Sequence, residues 1–349
     1  MLSPLVIICS APFFIHHTLS LYSSARQKGR KVVIYITDTR SVYDFIVTLH
    51  LNVAKLCFIE TTPAARLGAP LTALSTRRKL TFLTNQMLAE LADGELYYFG
   101  EIGDETVDAL VGGAARNGRP VTKAVEPSPG VRLHQPRTLR QSLRLKLLSW
   151  ITRCPLIYGS MGDSETYRDL ALIDEKKLGI NQQPLKPDPK ILKEYLFKCA
   201  SPGAPSKTIL LLESADGEYY LNYESRMREL LGELKDNGYY ILLKPHPRQG
   251  HSQFLGELAD TIVPDFVPAQ FLDRSAFAFV VSNMSSAMRD FASEGIPTFA
   301  LEFLHQPINQ SDNTYFTSIL NEASVLLDPR HRIRFPKTMN DLLAGLSQS

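Results

Sequence analysis

The chain has 349 residues, which is too long for one compact core and fits two domains. Hydrophobic residues make up 44% and charged residues 21%, a composition typical of folded globular proteins rather than disordered or fibrous ones. A formal net charge of +2 excludes a whole-chain argument for polyanion binding, so no nucleic-acid partner is predicted. The four cysteines lie far apart without CxxC or Cys/His spacing, which predicts no structural zinc and no disulfide framework and favours a reducing compartment.

The first apolar run, Leu5–Cys9, is predicted to be a buried strand rather than an export signal. No Lys or Arg precedes it, and Pro12 interrupts the apolar stretch early. No apolar stretch reaches the roughly 20 residues that a membrane-spanning helix needs. The sequence therefore predicts a cytoplasmic protein, either free or held peripherally at the inner face of the inner membrane.

Residues 1–150 alternate short β-rich runs with longer amphipathic segments, which is typical of parallel βαβ units. Helices are predicted near residues 17–28, 42–50, 76–92 and 104–116. The predicted strands are Leu5–Cys9, Lys31–Thr37, Lys55–Glu60, Glu95–Phe99 and Pro120–Glu126. This pattern predicts an N-terminal Rossmann-like domain.

Residues 206–349 repeat the design and are predicted to form a second Rossmann-like domain. Six prolines from Pro155 to Pro205 favour a connector over residues 151–205. The predicted elements of the second domain are strands Thr208–Glu213, Tyr239–Lys244, Phe277–Ser282 and Thr298–Glu302, with helices Tyr223–Lys235 and Ser285–Ser293. The predicted fold class is α/β, with two Rossmann-like domains whose parallel sheets face a central cleft. That architecture is called GT-B, and it proves no chemistry by itself.

A His-Pro motif follows the apolar strand that ends at Lys244. In Lys244-Pro-His246-Pro247-Arg248 the two prolines continue neither a sheet ladder nor a helix, so they fix the direction in which His246 leaves the strand. An imidazole between two cationic side chains is suited to hold a phosphate and to stabilise or protonate it as it departs. The alternative is an ordinary surface turn that contains a histidine.

A second motif follows the next predicted buried strand, where Ser285 and Ser286 come just before a helix. Free backbone N–H groups at a helix N-terminus favour an anion, and two hydroxyls add donors. The alternative is that serine simply caps the helix. Together with the His-Pro motif, the two serines predict a phosphate site in the C-terminal domain.

Two carboxylates are candidates for a general base. Glu126 closes the last predicted strand of the N-terminal domain, and Pro127 and Pro129 keep a strand or helix from continuing beyond it. A carboxylate across a cleft from a phosphate site is what a transferase needs to deprotonate an acceptor hydroxyl. Asp216 is the reserve base. An ordinary solvated Glu and a plain Asp-Gly turn remain the alternative interpretations.

These motifs resemble those of bacterial GT-B sialyltransferases, in particular the lipooligosaccharide sialyltransferase and capsular polysialyltransferase families. The families share an acidic-acidic-Gly motif, a Lys-x-His-Pro motif and a Ser-Ser motif in this order. The segment Val263–Leu272, which contains Pro268 and Gln270, resembles their Ile-Pro-x-Glu-x-Leu segment. Two positions depart from the pattern, because Glu126 stands where the families have paired acids and Gln270 stands where they have Glu.

The resemblance implies an inverting transfer of sialic acid, or a related nonulosonic acid, from its CMP ester to a glycan or glycolipid hydroxyl. It implies that residues 1–150 bind the acceptor and that residues 206–349 bind the donor. Glu126 or Asp216 would be the base, and His246 would stabilise the departing CMP. The implied donor-binding residues are Lys244, His246, Pro247, Pro268, Gln270, Ser285 and Ser286. Because CMP leaves as a monophosphate and no Asp-x-Asp pair is present, the expectation is that no metal or other cofactor is needed.

Three other functions remain open from the sequence. A CDP-glycerol glycerophosphotransferase and a CMP-Kdo transferase use a cytidine nucleotide with similar His and Ser elements. A non-catalytic nucleotide-binding subunit of polysaccharide assembly would explain the degraded acidic motif. The predicted partners are the donor, the acceptor and a second copy of the chain in a homodimer.

Residues 137–153 are predicted to contact a membrane peripherally. No Asp or Glu occurs between Pro127 and Gly162, whereas six Lys and Arg residues do. As a helix, this stretch places Leu139, Leu143, Leu147, Trp150 and Ile151 on one face, with Arg137, Arg140 and Arg144 along its flank. Such a helix could lie against anionic lipid. The alternative is a helix packed under the interface of the two predicted domains, which Leu145 and Leu148 favour because they fall off the apolar face.

Overall fold

The computed structural model describes residues 2–60, 70–99, 104–125, 131–161, 170–184, 188–198, 205–214, 217–247, 249–285, 287–309, 321 and 327–347. The chain divides into two compact units, Met1–Ile191 and Leu192–Ser349. The single boundary near residue 191 differs from the predicted boundaries at 150 and 205. Most of the predicted connector belongs to unit 1, because it contributes strands and helices that pack there.

The described residues of unit 1 include a six-stranded sheet in which all neighbouring strands are parallel. Its strands are β1 (Leu5–Cys9), β2 (Val32–Thr37), β3 (Lys55–Ile59), β4 (Glu95–Phe99), β5 (Val121–Val125) and β9 (Asn181–Pro184), in the order β3-β2-β1-β4-β5-β9. The helices between them are α1 (Ile15–Gln27), α2 (Arg40–Thr48), α3 (Pro70–Leu91) and α4 (Glu105–Arg116). The five predicted strands are confirmed to within one residue at either end.

Local sequence signals explain where these elements begin and end. Asp104 caps α4, because its side chain accepts hydrogen bonds from the backbone N–H groups of Thr106 and Val107. Gly29 and Gly118 follow α1 and α4 with φ of 70° and 68°, a left-handed conformation that glycine adopts without strain. Strand β1 is completely buried, as its uninterrupted apolar sequence predicts for the centre of a parallel sheet.

The predicted connector is folded over much of its length. A three-stranded antiparallel sheet is made by β6 (Val131–His134), β7 (Leu156–Met161) and β8 (Leu170–Ile173), and α5 (Leu139–Thr152) lies between the first two strands. Two short helices, α6 (Glu175–Leu178) and α7 (Pro189–Glu194), flank β9. Proline density was a poor guide here because Pro155 and Pro184 stand next to or at the ends of strands, where a missing N–H costs little.

The described residues of unit 2 form a second parallel sheet of five strands. They are β10 (Thr208–Leu212), β12 (Tyr240–Lys244), β13 (Thr261–Ile262), β14 (Phe279–Ser282) and β15 (Thr298–Ala300), in the order β13-β12-β10-β14-β15. In both units the first strand is central, and the first five strands run in the order 3-2-1-4-5. This is the Rossmann-type order.

The described residues of unit 2 also include four α-helices and one antiparallel pair of short strands. The helices are α8 (Tyr223–Asp236), α9 (Gln253–Leu258), α10 (Ala287–Ser293) and α11 (Met339–Ser347), and an antiparallel pair is formed by β11 (Tyr220–Leu221) and β16 (Gln306–Pro307). Apolar residues of α8, including Leu230 and Leu234, pack with Ile209 and Leu211 of β10 in one core. The predicted helix at Ser285–Ser293 begins at Ala287.

Across the described part of the chain, no helix combines the length and apolarity needed to cross a bilayer. Within the same residues, no group of three or more His, Cys, Asp or Glu side chains has metal-binding geometry.

Candidate functional site

The two predicted phosphate motifs lie at the same edge of the unit 2 sheet. Leu212, the last residue of β10, is aligned with Lys244 of β12 on one side and with Ser282 of β14 on the other. His246 follows Lys244 by two residues, and Ser285 follows Ser282 by three. Because β12 and β14 are two strand spacings apart, about 10 Å, the two loops leave the sheet close enough to contact one ligand. Ligands of open parallel sheets bind at this carboxyl edge.

The loop that carries His246 is closed by its own backbone. The N–H of His246 donates to the Gly250 carbonyl at 3.0 Å, and the N–H of Gly250 donates back at 2.9 Å. Gly250 has a φ of 73°, which only glycine adopts without strain and which lets the chain turn here. The loop is also tied to the neighbouring strand, because the Ser252 N–H donates to Glu213 Oε1 at 2.8 Å. The half-buried His246 is therefore held at a defined place on the sheet edge.

Lys244 is a buried cation under this loop. Its side chain is 3% exposed, and its ammonium donates to the carbonyls of Pro245 and, at 3.3 Å, of Asp265. Burial lowers the pKa of Lys244 to about 8, although the negative charges of Asp265 and Glu213 oppose the change. A buried ammonium that is bonded only to backbone carbonyls is stabilised when an anion binds next to it. Lys244 is therefore suited to neutralise a phosphate.

The pattern of polar residues at the strand ends extends to side chains that the motifs did not identify. Glu213 follows β10, and burial raises the pKa of its carboxyl group. Asn283 follows β14 at 2% exposure and contacts His305 through Oδ1 and Nε2 at 3.0 Å. Among the described residues, the Asn283 Nδ2 and His305 Nδ1 atoms are buried without a hydrogen-bond partner. The position of Glu213 and Asn283 directly after buried strands could have identified both from the sequence.

Ser285 stands at the start of α10, and Gln270 lies beside the same helix. The N–H of Ala287 donates to Ser285 Oγ at 3.4 Å and the N–H of Met288 to the Ser285 carbonyl at 3.1 Å, so Ser285 is hydrogen-bonded to the first turn of the helix. Gln270 is 6% exposed in the short turn of 3-10 helix Ala269–Phe271, which packs against α10. Its buried neighbour Pro268 begins that turn.

One arginine fixes the turn that carries Gln270 to α10. Arg274 makes a bidentate ion pair with Glu294, at 2.8 and 3.0 Å, and donates to the carbonyls of Ala269 and Leu272. Its guanidinium also lies 4.2 Å from the ring centroid of Phe291 in α10. The contacts hold Gln270 next to the helix whose first turn is hydrogen-bonded to Ser285.

The structure thus brings Lys244, His246 with Pro247, and Ser285 to one sheet edge, and it places Gln270 and Pro268 beside α10. Glu126, Asp216, Ser286 and Arg248 lie outside the described residues. Their predicted roles as bases or phosphate ligands stay predictions.

Unit 1 has a polar cluster at the carboxyl edge of its own sheet. Ser10 follows β1, Thr37 ends β2, and the Thr37 hydroxyl donates to Asp104 Oδ2 at 2.9 Å. His17, which is 1% exposed, stacks on Phe99 with ring centroids 5.9 Å apart. The Ser10 hydroxyl is buried without a hydrogen-bond partner among the described residues. The sequence signal for this cluster was weak because one histidine and one serine after a strand are common in packed turns.

The unit 2 edge is suited to bind a phosphate ester and to stabilise negative charge on it. It offers a buried ammonium on β12, and the loops that carry the His246 imidazole and the Ser285 hydroxyl follow strands about 10 Å apart. Groups that are fixed before a ligand arrives stabilise developing charge without reorganisation, which is the main contribution of such sites to catalysis.

Comparison with solved structures relates both units to known proteins. The calicheamicin glycosyltransferase CalG4 matches with a TM-score of 0.50 at 10% sequence identity, covering 100% of this chain and 90% of that chain. A UDP-GlcNAc 2-epimerase from Methanocaldococcus jannaschii matches with a TM-score of 0.50 at 12% identity, covering 99% of this chain and 92% of that one. The chain has the GT-B fold.

The predicted GT-B class is confirmed at the level of fold. No family model and no curated protein matches the sequence. Neither similar structure is described as a sialyltransferase, so the resemblance to that family stays a prediction.

Proposed function

We propose that the protein is an inverting glycosyltransferase that moves sialic acid, or a related nonulosonic acid, from its CMP ester to a hydroxyl of a cell-surface glycan. The observation that carries the proposal is the meeting of Lys244, His246 and Ser285 at the carboxyl edge of β12, β10 and β14. The GT-B fold is compatible with a nucleotide-sugar substrate but does not identify it.

In the proposed reaction the acceptor oxygen attacks the anomeric carbon of the nonulosonic acid. The bond between that carbon and the CMP phosphate oxygen breaks, and its electron pair stays on the phosphate. Lys244 and Ser285, with Ser286, would hold the phosphate, and His246 would stabilise or protonate the oxygen that departs. The acceptor proton goes to a carboxylate, for which Glu126 is the first candidate and Asp216 the second.

His246→Ala tests the leaving-group role. Removing a group that protonates or stabilises a leaving oxygen lowers kcat by roughly 10²-fold or more, so transfer from CMP-sialic acid should fall by at least that factor. His251→Ala is the matched control, because His251 is an exposed imidazole of the same segment. Equal activity of the two variants would contradict the assignment.

Thermal denaturation with nucleotides tests the donor class without any acceptor. A ligand present at about 100 times its Kd stabilises by ~2.7 kcal/mol, which raises the Tm of a unit of this size by about 5–10 °C. CMP should give such an increase, whereas UMP and UDP should give little. An increase with UDP alone would favour a uridine-nucleotide enzyme, like the similar epimerase, and would refute the proposal.

Hydrolysis of CMP-sialic acid, CMP-Kdo and CDP-glycerol distinguishes the related cytidine enzymes from one another. Activity that disappears in Glu126→Gln but persists in Asp216→Asn assigns the base to Glu126, and the reverse result assigns it to Asp216. CMP binding without turnover of any of the three donors would identify a non-catalytic nucleotide-binding subunit.

A further inference from the structure

Helix α5 presents an apolar stripe to solvent. Leu139, Leu143, Leu147 and Trp150 are 77%, 57%, 39% and 44% exposed. At 3.6 residues a turn they lie within about 80° of arc on one side of the helix. We call these four residues the α5 stripe. The sequence also predicted Ile151 on this face, but Ile151 is 1% exposed and packs with Ala73, Leu80 and Ala109, so that part of the prediction is wrong.

The stripe is not the face that holds α5 to unit 1. Leu148 is 4% exposed and packs with Cys154, Leu156 and Ala171, on the side of the helix opposite the stripe. Together with Ile151, it attaches α5 to α3, α4 and β7. Four large apolar side chains therefore remain exposed on a helix that is already fixed by its other face.

Basic residues border the stripe on both sides. Arg140 and Arg144 are exposed along one flank, and Lys146 is exposed along the other. Arg153 follows the last residue of the helix and is also exposed. No acidic residue occurs between Pro127 and Gly162, although the whole chain carries a net charge of only +2. Glu105 of α4 lies near enough to Arg144 to interact with its charge. Helix α5 itself carries only basic charges, as is typical of helices that lie in a membrane interface.

A cavity with three arginines lies at the C-terminal end of α5. It is a shallow depression that opens widely to solvent, with a volume of about 640 Å³, and we call it the arginine cavity. Its lining residues are Arg77, Arg116, Asn117, Ser149, Trp150, Arg153, Cys154 and Pro155. The Arg77 guanidinium lies 4.2 Å from the Trp150 ring centroid, which orders both side chains at the end of the stripe. Burial and the charge of Arg153 lower the pKa of Arg116, so a bound anion would relieve repulsion there.

We propose that the α5 stripe and the arginine cavity together bind the surface of an anionic lipid bilayer. The four apolar side chains would enter the boundary between headgroups and acyl chains, where tryptophan is enriched. The arginine cavity would receive a lipid phosphate, whose oxygens guanidinium groups bind in bidentate fashion. Helix α5 would lie in the plane of the membrane, about 21 Å long.

The charge distribution favours a bilayer over a second copy of the chain. A two-fold interface brings the same surface patch of both subunits together, so each cationic flank would face another cationic flank. An anionic bilayer neutralises both flanks at once. The proposal also stands apart from the transferase reaction, because it requires neither donor nor acceptor.

Trp150 gives a direct test because it is the only tryptophan of the chain. The full-length protein is mixed with vesicles of phosphatidylglycerol and phosphatidylcholine, or of phosphatidylcholine alone. We expect a blue shift of tryptophan emission, and quenching by brominated acyl chains, only with the anionic vesicles. Sedimentation with those vesicles without any quenching would place the contact elsewhere and would overturn the proposal.

Matched variants separate the stripe from general electrostatic attraction. Arg140→Gln with Arg144→Gln should weaken binding about 30-fold, whereas Arg226→Gln with Arg228→Gln on α8 removes the same charge and should have little effect. Leu139→Ser with Leu143→Ser should abolish the blue shift, and Leu221→Ser should not. The altered side chains are all exposed, and an unchanged far-UV circular dichroism spectrum verifies folding.

The same variants detect the competing partner. One outcome is that the wild-type chain does not bind the vesicles but self-associates in sedimentation velocity, whereas the leucine double variant does not self-associate. In that case the stripe is a protein interface and the lipid proposal is wrong. Equal losses in the α5 and α8 arginine variants would also refute it.

Discussion

Replacing Lys244 by Met should change how the stability of unit 2 depends on pH. Lys244 is buried at 3% exposure, with an ammonium that contacts two backbone carbonyls and a pKa lowered to about 8. Methionine keeps the length and apolar part of the side chain but carries no charge. The variant therefore removes the buried positive charge and leaves the packing of β12 nearly unchanged.

The sign of the effect follows from proton linkage. The folded-state pKa of Lys244 lies below its unfolded value of 10.5, so the unfolded chain binds more protons between pH 8 and pH 10.5. The free energy of unfolding of the wild-type unit should rise through that window and be lowest below pH 8. The full shift corresponds to about 3 kcal/mol, of which about 2 kcal/mol appears between pH 7 and pH 9.5.

The measurement compares the pH dependence of the wild type and of Lys244→Met. Urea unfolding followed by circular dichroism gives the free energies, and amide hydrogen exchange of residues 240–244 assigns them to unit 2, since the single tryptophan lies in unit 1. The difference between the variants should change by about 2 kcal/mol from pH 7 to pH 9.5. Other groups that titrate in this range cancel in that difference. Lys337→Met, at an exposed site, is the control. Parallel curves for Lys244→Met and the wild type would refute the argument.

Two further predictions concern unit 1, where Trp150 fluorescence reports unfolding. Asp104→Ala should lower the free energy of unfolding by about 1–2 kcal/mol, because it removes the cap of α4 and the acceptor of the Thr37 hydroxyl. Asp104→Asn should recover most of the loss. Equal losses in the two variants would contradict the capping role. Burial raises the pKa of Glu105 to about 7. Glu105 therefore does not reduce the free energy of unfolding below pH 4.5, where it is neutral in both states, and it reduces that free energy increasingly as the pH rises through 7. Glu105→Gln should therefore be more stable than the wild type at pH 8, by about 1–2 kcal/mol after allowance for solvent screening, and nearly equal at pH 4, and a constant difference at both pH values would disprove this account.

Most of the two sheets could be predicted from the sequence because their strands are uninterrupted apolar runs with clear stop signals. The predicted strands Leu5–Cys9 and Thr208–Glu213 are present as Leu5–Cys9 and Thr208–Leu212, and each lies inside its sheet. The position of His246 and Ser285 at one edge followed from the parallel order alone. A strand end in such a sheet determines where the next loop begins, whatever the loop contains.

Other features carried no pattern that the sequence could disclose. Strand β9 has the sequence Asn-Gln-Gln-Pro, and all four of its residues are exposed, so neither burial nor alternation marked it. It is held by backbone pairing with β5, which depends on the tertiary fold. The prediction that Ile151 lies on the exposed face of α5 was wrong because the helix has two apolar faces. The composition of the helix does not show which of the two is covered by the rest of the unit.

Strand β9 also has a consequence for the border of the unit 1 sheet. An unpaired strand at the border of a sheet is a template for the backbone of another chain. The polar β9 pairs with β5 on that border and occupies the backbone hydrogen-bonding groups that β5 would otherwise expose. A fragment that stops at residue 150 would leave β5 bare and should aggregate, whereas a fragment that extends to residue 191 retains its own protective strand.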